Sequence, residues 1–86
     1  MAYSPYYRKS AEKFLDNQTK IVQIRIMDAV DKLPEGNVKK LQGREGYRLT
    51  VGGFRIIFDY TNETTEDGKS IIDIMAIGPR GDVYKK

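Results

Sequence analysis

Residues 46–60 read GYRLTVGGFRIIFDY, two apolar-rich runs hinged on Gly52 and Gly53. Tyr47, Leu49 and Val51 alternate with Arg48 and Thr50, and Phe54, Ile56, Phe58 and Tyr60 alternate with Arg55, Ile57 and Asp59. Alternation of this kind marks strands with one buried face. A two-residue Gly-Gly connection fits a primed hairpin turn, because both central positions take positive φ at little steric cost. That turn dictates a register in which Val51 faces Phe54, Leu49 faces Ile56, Tyr47 faces Phe58, Thr50 faces Arg55 and Arg48 faces Ile57. One face of the hairpin is then apolar, and the other gathers Arg48, Thr50, Arg55 and Asp59.

The segments on either side supply what the apolar face packs against. Tyr7, Ala11, Phe14 and Leu15 have the spacing of one helix face running to about Asp16. Val22, Ile26, Ala29, Val30 and Leu33 make a second, longer amphipathic helix, with Asn17 as the expected cap between the two and Pro34 and Gly36 as the stop. An edge strand around Ala2 to Ser4 is limited by Pro5. After the polar turn TNETTEDG of residues 61–68, Ser70 to Ile77 reads SIIDIMAI, apolar on both sides except Asp73, and is expected to be central in the sheet. The predicted architecture is α+β, an N-terminal helical hairpin packed on one face of a small curved antiparallel sheet. At 86 residues, without repeats or linkers, positions 1–86 form a single domain.

Composition narrows the chemistry. The chain has no cysteine and no histidine, which removes disulfides, thiolate nucleophiles, the commonest general base and the commonest metal ligand. No metal site or cofactor is expected, and no Ser–His pair can form. VGGFR is a hairpin rather than a phosphate-binding glycine loop, since no helix N-terminus follows it. Neither a membrane-spanning run nor a signal peptide is present in the sequence, so a cytoplasmic protein is expected.

The net charge of +3 is unevenly placed. Between Val38 and Arg55 the cations Lys39, Lys40, Arg44, Arg48 and Arg55 stand against Glu45 alone, while residues 59–73 carry five carboxylates against Lys69. A basic segment beside an acidic one suggests a surface that faces a polyanion. Arg48 and Arg55 lie on a diagonal of the polar face, about 7 Å apart, near the reach of one phosphate or two neighbouring ones. In water they repel by only about 0.6 kcal/mol, so the pair alone does not demand a ligand. Arg80 and Tyr84, just past the last strand, would join them if the tail returned over the sheet. Guanidinium groups bind phosphate bidentately, and a tyrosine can stack on a base or exchange a proton.

KFLDN of residues 13–17, the segment from Asp28 to Tyr60, and MAIGPRGDVYKK of residues 75–86 together resemble the RelE/ParE superfamily of toxins from type II toxin–antitoxin modules. The resemblance rests on four motifs in order: KL-x-G, YRL, G-[FY]-R-I-I-F and the closing I-G-x-R-x-x-V-Y. It implies a RelE-like fold whose concave face binds mRNA. It also implies a ribosome-dependent, metal-independent endoribonuclease, an mRNA interferase in which a 2′-OH attacks the adjacent phosphate and translation is inhibited. Carried over by position, it assigns phosphate and transition-state contacts to Arg48, Arg55 and Arg80, and a stacking or proton-transfer role to Tyr84. Lys39, Lys40 and Arg44 would grip RNA backbone. The position at which well-studied members place a lysine general base is Thr50, so the base stays unassigned, with Glu45 the nearest carboxylate in sequence. Implied partners are a cognate antitoxin in a hetero-oligomer, the ribosome and mRNA. A ParE-like inhibitor of DNA gyrase, and a toxin of decayed activity that only binds antitoxin, are the alternatives.

Overall fold

The computed structural model describes residues 3–79, so Arg80 and Tyr84 lie outside the described residues. In chain order the elements are β1 (Tyr3–Tyr7), α1 (Lys9–Asp16), α2 (Lys20–Asp31), β2 (Asn37–Lys40), β3 (Tyr47–Val51), β4 (Phe54–Thr64) and β5 (Ser70–Pro79). The strands form one sheet in the order β1-β5-β4-β3-β2. All neighbours are antiparallel except β1 and β5, which are parallel, and the two helices carry the chain from β1 at one edge of the sheet to β2 at the other. The α+β class and the helices packed on the sheet agree with the sequence; the parallel edge pair does not follow from it.

The core lies between the helices and one sheet face. Ala11, Leu15, Ile26, Val30 and Leu33 meet Leu49, Ile56, Phe58, Ile72, Ile74 and Ile77, and Ile26, Ile56, Phe58 and Ile74 are fully buried. The helical residues and those of β3 and β4 are ones that the two periodicities single out, whereas Ile72, Ile74 and Ile77 come from a run that reads as apolar on both sides. Ile21, Ile24 and Met27 stay on the solvent side of α2.

Several boundaries differ for local physical reasons. Tyr7 ends β1 rather than opening α1, because the parallel pairing with β5 carries on through Tyr7 opposite Ile74. Pro5 is tolerated since β1 is an edge strand, bonded on one side only. Arg8 precedes α1 and ties the junction down: its backbone N–H donates to the Ile74 carbonyl at 3.0 Å. Its guanidinium donates to both carboxylate oxygens of Asp73, at 3.0 and 2.7 Å. That hydrogen bond, then the charge of Asp73, raises the Arg8 pKa further. Asn17 is the C-terminal cap of α1, and Thr19 caps α2, its hydroxyl accepting from the Val22 N–H at 3.3 Å. β2 escapes detection because Val38 is its one apolar residue. β4 runs on to Thr64 past the last apolar residue, with the Thr61 hydroxyl donating to the Ile71 carbonyl at 2.8 Å.

The β3–β4 register is the predicted one at all five pairs. The turn is narrower than its sequence suggests, since Gly52 takes φ +57° while Gly53 is not in the left-handed region. Gly52→Ala should therefore cost about 1–2 kcal/mol, and Gly53→Ala, which meets no atom within 4 Å, should be neutral or slightly stabilising. Urea unfolding of the two variants distinguishes them. Equal losses would contradict the turn geometry.

Tyr7 gives a pH prediction. Burial, then the charge of Asp31, pushes its phenol up to about 12, and its oxygen has no hydrogen-bond partner among the described residues. A phenol that ionises later in the folded state holds its proton where the unfolded chain has lost it. Its contribution is fully present below about pH 10 and is lost as pH rises toward about 12. Tyr7→Phe should flatten the alkaline fall in stability, measured as thermal midpoint against pH.

Candidate nucleic-acid interface

The sheet face turned away from the helices carries the basic residues. Because Lys39 pairs with Arg48, Arg48 with Ile57 and Ile57 with Ala76, these four positions form one row across the sheet. The adjacent row is Asn37, Thr50, Arg55 and Gly78. Arg48 and Arg55 are therefore diagonal neighbours on one face, as the register requires, and both are half-buried. Thr50 sits directly opposite Arg55.

This face is not uniformly polar. Ile57 is 2% exposed and Leu41 8%, yet neither belongs to the core under the helices. Ile57 alternates with the core residues Ile56 and Phe58, so its side chain supplies an apolar floor between the two arginines. Charged groups beside such a floor feel a lower effective dielectric than groups in open water, which strengthens their pull on an anion.

Leu41 also anchors the loop that carries Arg44. Its N–H donates to the Gly46 carbonyl at 3.0 Å, closing residues 41–46. Gly46 has φ +117°, and a Cβ there would lie 3.3 Å from both the Leu41 side chain and the Phe58 carbonyl and 3.4 Å from the Met75 side chain. No other residue lets this loop lie against β4 so closely.

Lys39, Lys40, Leu41, Gln42, Arg44 and Arg48 line a cavity of about 410 Å³. The structure thus brings the three expected backbone-gripping residues together with Arg48. Lys40 differs from the other two: strand alternation sends it to the helix-bearing face, where its ammonium lies 5.3 Å from the centre of the Tyr47 ring. Glu45 is exposed in the same loop, and Asp59 occupies the diagonal position from Arg48 on the basic face, one of its carboxylate oxygens accepting from the Tyr60 N–H at 2.9 Å. Among the described residues no group of three or more His, Cys, Asp or Glu is placed to hold a metal ion, and no helix is long and apolar enough to cross a membrane.

What sequence reasoning missed is Lys39 opposite Arg48, because β2 was not recognised as a strand. A run of two lysines before a loop gave no pairing signal. Like charges directly opposite on neighbouring strands are destabilising.

No protein-family model matches the chain, and no curated protein matches it. Among solved structures, it is similar to a chain of the archaeal RelE–RelB complex from Pyrococcus horikoshii OT3, with a TM-score of 0.66 and 26% identity. The match covers 95% of this chain and 99% of that one. The resemblance seen in the motifs therefore extends to the whole fold, which is RelE-like.

The juxtaposition of Lys39 and Arg48 predicts opposite effects on stability and binding. Lys39→Gln should raise the urea midpoint slightly and lower the salt concentration at which the chain elutes from heparin. A lower urea midpoint would show that Lys39 makes a stabilising contact instead.

Proposed function

We propose that this RelE-like chain is the toxin of a toxin–antitoxin pair and acts as a ribosome-dependent mRNA endonuclease. The observation that carries the reading is the placement of Arg48 and Arg55 on one apolar-floored face, continuous with the cavity of Lys39, Lys40 and Arg44. Such a face suits a phosphodiester: cations to either side of a low-dielectric patch attract one phosphate, and the flanking lysines attract its neighbours.

In the proposed reaction the 2′-oxygen of one nucleotide loses its proton and bonds to the adjacent phosphorus. The bond from phosphorus to the 5′-oxygen of the next nucleotide breaks, and that oxygen takes a proton. The products are a cyclic 2′,3′-phosphate and a free 5′-hydroxyl, with no redox change and no atom left over. Negative charge grows on the phosphate oxygens in the transition state, and Arg48, Arg55 and Arg80 are assigned to stabilise it. Tyr84 is assigned to stack on a base or pass the leaving group its proton. Lys39, Lys40 and Arg44 hold the backbone on either side.

The partner follows by similarity, since the chain of like fold occurs in a RelE–RelB complex. An antitoxin that adds to the sheet or covers the arginine face is the proposed partner, and the exposed Ile21, Ile24 and Met27 leave further apolar surface for it. Thr50 favours a second reading, because a threonine hydroxyl is a poor proton acceptor where a lysine base is expected. A ParE-like gyrase inhibitor, or a chain that only binds antitoxin, needs no base.

Primer extension on translated mRNA separates these readings. Each preorganised charge donor removed should cost about 10²–10³ in cleavage rate, so Arg55→Ala with Arg80→Ala should abolish detectable cleavage. Unchanged cleavage in the double variant would sink the assignment. Intact mRNA together with gyrase-dependent DNA breaks would support the alternative.

A further inference from the structure

Three tyrosines cross the other face of the sheet at the end the helices leave open. Tyr3 of β1 lies 5.7 Å from Tyr60 of β4, ring centre to ring centre, and Tyr60 lies 5.2 Å from Tyr47 of β3. Lys40 of the edge strand β2 closes the row, its ammonium 5.3 Å from the centre of the Tyr47 ring. Phe58, opposite Tyr47 on the same face and fully buried, lies 5.7 Å from both Tyr47 and Tyr60. Tyr3 and Tyr60 are each 37% exposed. A single exposed tyrosine is ordinary, but two half-exposed rings in contact, Tyr3 and Tyr60, beside a core-packed Tyr47 and a lysine, are more than core packing requires.

We infer that Tyr3 and Tyr60, braced by Tyr47, form a stacking platform for the bases of a single-stranded RNA that passes from the basic cavity around the β2 edge at Lys40. This rests on the RNA-binding reading above and extends it to a second face. Lys40 is the joint between the two: it lines the basic cavity with Lys39 and Arg44 while its ammonium lies over the aromatic row. Aromatic rings flanked by a cationic track are the chemistry by which single strands are held without sequence preference. Beyond Tyr3 the surface opens into a cavity of about 670 Å³ whose lining includes Asp31 and Glu35. Lys32 also lines it, so two carboxylates face one ammonium there, and the net negative charge marks the far end of the path.

The test uses the full chain and a labelled 12-nucleotide 2′-O-methyl RNA, which cannot be cleaved, with affinity read by fluorescence anisotropy over a range of salt. Tyr3→Leu with Tyr60→Leu should weaken binding about tenfold or more without changing the salt slope, because stacking is lost and no charge is. Tyr3→Phe with Tyr60→Phe should bind within about twofold of the unaltered chain, since a phenyl ring stacks equally well. If the leucine pair fails to fold, each single leucine variant should still weaken binding severalfold. Unchanged affinity in the leucine variants, alongside weakened binding in Arg48→Ala, would overturn the platform and leave the basic face standing. Loss of binding in the phenylalanine pair equal to that in the leucine pair would also overturn it. An unaltered chain that binds no RNA would overturn both readings.

Discussion

The pairing of β3 with β4 is the constraint on which the rest depends. Leu49, Ile56 and Phe58 lie at or below 1% exposure, and burying each contributes about 1.5–3 kcal/mol. A slip of one residue would turn all of them to the opposite face and drive Arg48 into the core. An unpaired buried guanidinium costs several kcal/mol more, so burial and desolvation enforce the same register. The arginines on the far side are positioned by a hydrophobic decision made on the near side. Nothing about an anion is needed to place them.

The basic face is built against local stability. Lys39 stands directly opposite Arg48, and Arg55 lies diagonally across from the same residue. Glutamate at position 39 would have made a favourable cross-strand pair with Arg48. Carboxylates share the face at its other end: Asp59 lies diagonal to Arg48 and opposite Asp73, which Arg8 holds, while Asp67 sits in the β4–β5 turn, where the Thr65 hydroxyl donates to it and lowers its pKa. The cations of β2, the 41–46 loop and β3 thus cluster at one end of the face, as a polyanion-facing surface requires.

The hairpin, its register and both helical stripes were legible because each follows from a short-range period. The elements that escaped lack one. β2 has a single apolar residue, and its place is fixed only by hydrogen bonding to β3 along an edge where its lysines discourage further pairing. β1 contains Pro5 and pairs with β5 some 67 positions later, a contact that no local pattern announces. The apolar floor of the site was hidden in plain view, since Ile57 reads as an interruption of a polar face until its burial is known. The aromatic row was hidden too, because Tyr3, Tyr47 and Tyr60 are far apart in the chain and meet only through the parallel and antiparallel pairings together.

Thr50 concentrates the chemical question. Cations near a 2′-hydroxyl lower its pKa, and each unit is worth 1.36 kcal/mol, so Arg48 and Arg55 can carry part of a base's work by stabilising the alkoxide as it forms. They cannot accept the proton. A positioned general base contributes about 10²–10⁴ in rate, whereas a preorganised charge donor contributes about 10²–10³. A site with its guanidiniums intact and threonine at the base position therefore retains the larger share of the proposed catalysis, provided that more than one arginine reaches the phosphate. In the proposed reaction water or a ribosomal group can then receive the proton, and among the described residues Asp59 lies diagonal to Arg48 on the same face. On this accounting the threonine slows a toxin of this kind before it silences one, and the arginine pair decides more of the outcome than the missing lysine does.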